Sequence, residues 1–100
     1  MFDFIGKKIL ITGASGGIGK ELTKSFLKNG ADVFITGTSS QKLTLLNKEL
    51  NGKCKTIECN LSSVDDTNKL IEYLNGFGGM DILINNAGKT AVSYTHLTLP

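Results

Sequence analysis

Apolar residues along the chain follow two rhythms, short continuous runs and stripes spaced three or four apart, and the two alternate. "KKILIT" (Lys7–Thr12) is an unbroken apolar run bounded by glycines, the pattern of a strand buried on both faces. Ile18, Leu22 and Phe26 then recur at spacing four and predict a helix from about Ile18 to Asn29, with Gly30 just past its end. "DVFIT" (Asp32–Thr36) reads as a second strand. A helix capped by Ser39 or Ser40 follows to about Leu50, its inner face formed by Leu43, Leu46 and Leu50, and Asn51–Gly52 ends it. "KTIEC" (Lys55–Cys59) predicts a third strand. Ser62 with Asp65 three residues on resembles a capping box, opening a helix that faces inward through Leu70, Ile71 and Leu74. The loop "NGFGG" (Asn75–Gly79) leads into a fourth strand, "DILIN" (Asp81–Asn85).

Strands alternating with helices through short connections, closed by right-handed crossovers, give a parallel sheet with helices on both faces. The expected fold class is α/β, a Rossmann-type doubly wound parallel sheet of order 3-2-1-4, incomplete at four strands.

Composition narrows the picture only a little. One hundred residues, 40% hydrophobic and 20% charged, suit one small globular domain. Eleven basic and nine acidic residues give a net charge of +2; they are scattered, so neither nucleic acid nor an anionic membrane is favoured. No apolar run approaches the roughly 20 residues of a membrane helix, and Phe2–Gly6 carries an Asp and is too short for a signal core. A cytoplasmic location is expected. Cys54 and Cys59 are the only cysteines. Their odd separation in one strand puts them on opposite faces, which argues against a disulfide or a shared metal ion, and no metal site is expected.

The candidate chemistry lies between the first strand and the first helix, in "ITGASGGIGK". A loop there aims backbone N–H groups and the positive end of a helix at whatever lies above the strand ends, a seat for phosphate. A Walker A loop ending at Lys20 needs Gly at 14 and Ser or Thr at 21, where the chain has Ala14 and Glu21; strict G-x-G-x-x-G needs Gly at 22 and meets Leu22. The pattern that fits is T-G-x-x-x-G-x-G through Thr12, Gly13, Gly17 and Gly19. Gly13 makes the turn, Gly17 lets the backbone approach a pyrophosphate, and Gly19 lets the helix pack closely on the sheet.

"TGASGGIG" together with "ILINNAG" resembles the short-chain dehydrogenase/reductase family, over about Phe4–Thr90 with both motifs in order. Within it the chain is most similar to the bacterial reductases of 3-oxoacyl groups on acyl carrier protein, through "FIGKKILITGASGGIG", "GTSS" and "CNLSS". The resemblance implies an oxidoreductase of fatty-acid biosynthesis that transfers hydride from a nicotinamide to a carbonyl. It also implies a carrier-protein-bound 3-oxoacyl substrate and a homotetramer for the full-length enzyme. Gly13, Ala14, Ser15, Gly16, Gly17, Ile18 and Gly19 would form the cofactor loop. Thr38 would face the adenosine 2′ side, Asn60 and Leu61 would flank the adenine, and Asn86, Ala87 and Gly88 would line the nicotinamide side. Asn85 and Asn86 are also expected to tie neighbouring strands together.

NAD-selective sites place an acid at the C-terminal end of the second strand. Asp32 is the only acid expected nearby, and it starts that strand and so sits at the wrong end of the sheet, while Gly37, Thr38, Ser39 and Ser40 occupy the decisive place. Hydroxyls, a helix N-terminus and no carboxylate favour NADPH over NADH.

The family's proton-donating Tyr and its Lys come as Y-x-x-x-K, beyond the fourth strand. Tyr94 is followed four residues on by Thr98 and Tyr73 by Phe77, so the chain contains no catalytic Tyr/Lys pair. The segment after "NNAG" departs from the family, which continues into a loop and a long helix. "VSYTHLTLP" has the composition of a strand. The codons GTC TCT TAT ACA CAT CTG ACG CTG CCG encode it and, run together, match a widely used transposase-based sequencing adapter. Residues 1–91 are therefore expected to be the N-terminal part of a dinucleotide-binding domain, and Val92–Pro100 translated adapter without functional content.

Overall fold

The computed structural model describes residues 4–14 and 16–86. Seven elements follow in order: β1 (Lys8–Thr12), α1 (Gly17–Lys28), β2 (Asp32–Gly37), α2 (Ser40–Glu49), β3 (Lys55–Glu58), α3 (Val64–Asn75) and β4 (Ile82–Asn85). All strand pairs are parallel and the order is β3-β2-β1-β4, as the alternation predicts. The adapter reading concerns residues outside those described.

Alternation along the strands divides the core into two clusters. Ile9, Ile11, Val33 and Ile35 join Leu43 and Leu46 of α2 and Leu50 just past its end, with Leu22, Phe26 and Leu27 of α1 packed against them. Leu10 and Phe34 point the other way, onto Leu70, Ile71 and Leu74 of α3. Cys54 belongs to the first cluster and Cys59 to the second, both as free thiols. Asp81 fixes the start of β4 against β1: its carboxylate accepts from the Lys8 N–H at 2.8 Å, and its own N–H donates to the Lys8 carbonyl at 2.8 Å.

Two local expectations are corrected. Ile18 does not belong to the inward stripe of α1 and is 72% exposed. The buried positions of that helix are Gly19 and Thr23, and at about 100° per residue Ile18 stands about a third of a turn off the face they define. The cap of α3 is Ser63, not Ser62: the Ser63 Oγ accepts from the Asp66 N–H at 3.2 Å. The N–H of Ser62 instead donates to Asn60 Oδ1 at 3.0 Å, so Ser62 is spent in the turn before the helix.

Candidate functional site

The chain leaves β1 for β2 and β3 on one side and returns to β4 on the other, so strand order reverses between β1 and β4. Ligands of open α/β sheets bind beyond the carboxyl ends of the strands at such a point. Here those ends are tied by side chains. The Thr12 hydroxyl donates to Asn85 Oδ1 at 2.9 Å, and Asn86 Nδ2 donates to the Gly13 carbonyl at 3.1 Å. The two asparagines thus join the ends of β1 and β4, as their position at a strand end suggests.

Above these ties lies the glycine loop. Gly13 has φ of +63°, a left-handed conformation that costs other residues but not glycine. Its N–H donates to the Thr36 carbonyl at 3.0 Å, and its carbonyl accepts from the Gly16 N–H at 3.3 Å. Gly19 is where α1 presses on this loop. A Cβ there would lie 2.6 Å from the Gly13 carbonyl oxygen, 2.7 Å from the Ala14 Cα and 2.9 Å from Asn86 Nδ2. At Gly17 the reverse holds: a Cβ would meet no atom within 4 Å. One glycine is needed for contact within the protein, while the other faces open space.

The N-terminus of α1 is also electrically distinct. Ser39 and Ser63 cap α2 and α3 with their side chains, but α1 starts from Gly16 with no side-chain cap and no acid in its first turn. The first N–H groups of a helix have no partner within it and carry its positive dipole end, a seat for an anion. Lys20 does not supply the charge at this end, because its Nζ is bound to Glu49 at 2.6 Å. That hydrogen bond and the attached charge raise the Lys20 pKa above the ordinary lysine value and lower that of Glu49. Lys20 is half-buried and Glu49 exposed, so water screens the pair and it adds little stability.

The adenosine-side candidates lie at the ends of β2 and β3. Thr38 is exposed just past β2. Asn60 closes a turn with its side-chain oxygen, and its N–H donates to Asp66 Oδ2 at 3.0 Å. Leu61 is half-buried against the α3-side cluster. Asp32 stands at the opposite end of the sheet, level with Lys8 and 3.7 Å from the Lys55 Nζ. Yet a carboxylate does reach the C-terminal end of β2. Glu58, in register with Gly37, accepts from the Ser40 N–H at 3.4 Å. This corrects the expectation that Asp32 is the only acid nearby. Parallel register brings the ends of adjacent strands together, a neighbourhood that the linear order of residues does not display.

The structure therefore brings Gly13, Ala14, Gly16, Gly17, Gly19 and Asn86 to one crevice, with exposed Ile18 at its edge. Ser15, Ala87 and Gly88 lie outside the described residues. A family model for short chain dehydrogenases matches residues 7–98. The chain belongs to the short-chain dehydrogenase family. This is a family of oxidoreductases that bind a nicotinamide cofactor.

Among its relatives, the chain is 42% identical over 91 residues to the 3-oxoacyl-[acyl-carrier-protein] reductase FabG of Rickettsia typhi, covering 91% of this chain and 36% of that protein. It is equally 42% identical over 91 residues to nodulation protein G of Rhizobium sp. strain N33, covering 90% of this chain and 37% of the relative. The solved RhlG/NADP active-site complex of Pseudomonas aeruginosa superposes with a TM-score of 0.80 at 33% identity, covering 89% of this chain and 37% of that one. The chain thus spans little more than a third of the length of these relatives. Close packing at Gly19, open space at Gly17 and an uncapped helix end fit the nicotinamide cofactor that this family binds.

Proposed function

We propose that this chain is the cofactor-binding N-terminal part of an NADPH-dependent 3-oxoacyl-[acyl-carrier-protein] reductase. The observation that carries the nucleotide reading is the uncapped, glycine-lined N-terminus of α1 at the β1/β4 switch point. The 42% identity to the Rickettsia reductase supports the substrate class. The equal identity to nodulation protein G supports a second reading, a short-chain reductase of another alcohol or ketone.

The roles proposed for the residues follow from their places. The N–H groups at the start of α1 hold the pyrophosphate, and Gly17 leaves room for it. Gly13, braced by Thr36 and Asn86, fixes the loop. Thr38 and the start of α2 receive the adenosine 2′ side, while Asn60 and Leu61 border the adenine. A bound nicotinamide supplies the hydride for carbonyl reduction. In the whole protein, a cytoplasmic homotetramer on this reading, the proton comes from a Tyr/Lys pair beyond these residues.

The test has two parts. Titration of the hundred-residue chain with NADPH is expected to show saturable binding without turnover of a 3-oxoacyl thioester; turnover by this chain alone would contradict the proposal. Resequencing the source DNA is expected to lose the adapter match at codon 92 and to continue into a Ser and a Y-x-x-x-K pair. Genomic sequence encoding "VSYTHLTLP" would sink the adapter reading.

A further inference from the structure

We infer that Glu58, a residue of β3 rather than of β2, tempers the choice between NADPH and NADH by holding the N-terminus of α2 that a 2′-phosphate must use. The inference rests on the dinucleotide reading proposed above. In that reading the adenosine ribose lies beyond the ends of β2 and β3, beside Thr38 and the first turn of α2. Two of the backbone N–H donors at this helix start already have side-chain acceptors. The Lys42 N–H is taken by the Ser39 Oγ at 3.2 Å, and the Ser40 N–H by Glu58 Oε2 at 3.4 Å. Ser39, the cap, is neutral. Glu58 is the anion already seated at this helix end, and α2 carries no acid of its own in its first turn.

Register fixes the Glu58 backbone. It pairs with Gly37, the last residue of β2, and the Cys59 N–H donates to the Gly37 carbonyl at 2.8 Å just beyond. The carboxylate is exposed and able to swing away. A 2′-phosphate arriving at Ser40 therefore meets a like charge and must displace it, whereas a 2′-hydroxyl meets an acceptor. Like charges a few ångströms apart oppose each other even near a surface, and salt weakens the effect. Glu58 thus lowers affinity for the phosphorylated dinucleotide and helps retain the unphosphorylated one. The hydroxyls of Thr38 and Ser39 pull the other way.

The test is the ratio of dissociation constants for NADH and NADPH, measured by calorimetric titration at low salt on the unmutated chain, Glu58→Gln and Glu49→Gln. Gln keeps an oxygen for the Ser40 N–H and removes the charge. Glu58→Gln is expected to shift the ratio toward NADPH by about tenfold, the equivalent of about 1.4 kcal/mol. Added salt should shrink the shift. Glu49→Gln, which removes the same charge from the far end of α2, is expected to leave the ratio within about twofold. Circular dichroism and the thermal midpoint of each variant report that the fold is intact. Binding of both nucleotides with an unmoved ratio in Glu58→Gln, or an equal shift in Glu49→Gln, overturns the inference alone. Failure of the unmutated chain to bind either nucleotide overturns the dinucleotide reading, and this inference with it.

Discussion

Gly17 and Gly19 belong to one motif, but their surroundings separate their roles. Gly19→Ala places a methyl 2.6 Å from the Gly13 carbonyl oxygen, a backbone atom held by its own hydrogen bonds, and overpacking of this kind costs about 1–3 kcal/mol. Gly17→Ala meets nothing, and reducing the freedom of the unfolded chain makes it neutral to about 1 kcal/mol more stable. Urea denaturation checks both values. NADPH binding should nevertheless weaken in both variants, by about tenfold or more at Gly17, because the methyl occupies the space proposed for the pyrophosphate. Stability lost at 17 and kept at 19 would reverse the assignment. The cysteines give a second prediction. Burial raises the pKa of Cys54 and Cys59 from 9.0 to about 11, with Asp66 adding to the shift at Cys59. Because the folded values exceed the unfolded ones, this contribution to stability is complete below about pH 9 and is lost between about pH 9 and 11. Urea midpoints across that range should fall, less steeply in Cys→Ala variants, and both thiols should react with a disulfide reagent at pH 8 only after denaturant is added.

At the scale of elements, the three helix starts differ in a way that matters for function. Ser39 and Ser63 satisfy the starts of α2 and α3, whereas Gly16 leaves α1 without a side-chain cap. Ser63→Ala should cost about 1 kcal/mol, while Ser62→Ala, which keeps the backbone N–H that bonds Asn60, should cost only a few tenths by comparison. Thermal melts of the two variants check the corrected cap, and equal losses would count against it. The element order, the sheet order and the two core faces were legible in the sequence because β1, β2 and β4 are apolar runs, β3 falls between two helices, and α2 and α3 are amphipathic. Ile18 and Ser62 misled because each pattern admits more than one reading. A spacing of four matches a stripe without fixing which residue faces the sheet, and adjacent serines present equal caps until the preceding turn is known. Glu58 was hidden for a different reason. Its effect depends on strand register, which places it beside residues 18 positions earlier in the chain.

The whole molecule is a sheet with a site at one end and an edge at the other margin of that site. Among the described residues β4 pairs only with β1, and Ile82, Leu83 and Ile84 are half-buried. In a chain covering 36% of its Rickettsia relative, the seat proposed for the phosphates is built locally, from β1, α1 and the end of β4. The motif was legible from its glycines and its place between strand and helix; the asparagine ties were foreseen only as a role for the strand end. The central claim, that the α1 N-terminus receives a dinucleotide, is tested most directly by following backbone amides by NMR as NADPH is added to the chain. Saturable shifts are predicted at Gly13, Gly16, Gly17 and Gly19, with Thr38 and Asn86 moving alongside them. Shifts confined to the opposite end of the sheet, at Lys8, Asp32 and Lys55, or no saturable shifts at all, would contradict it.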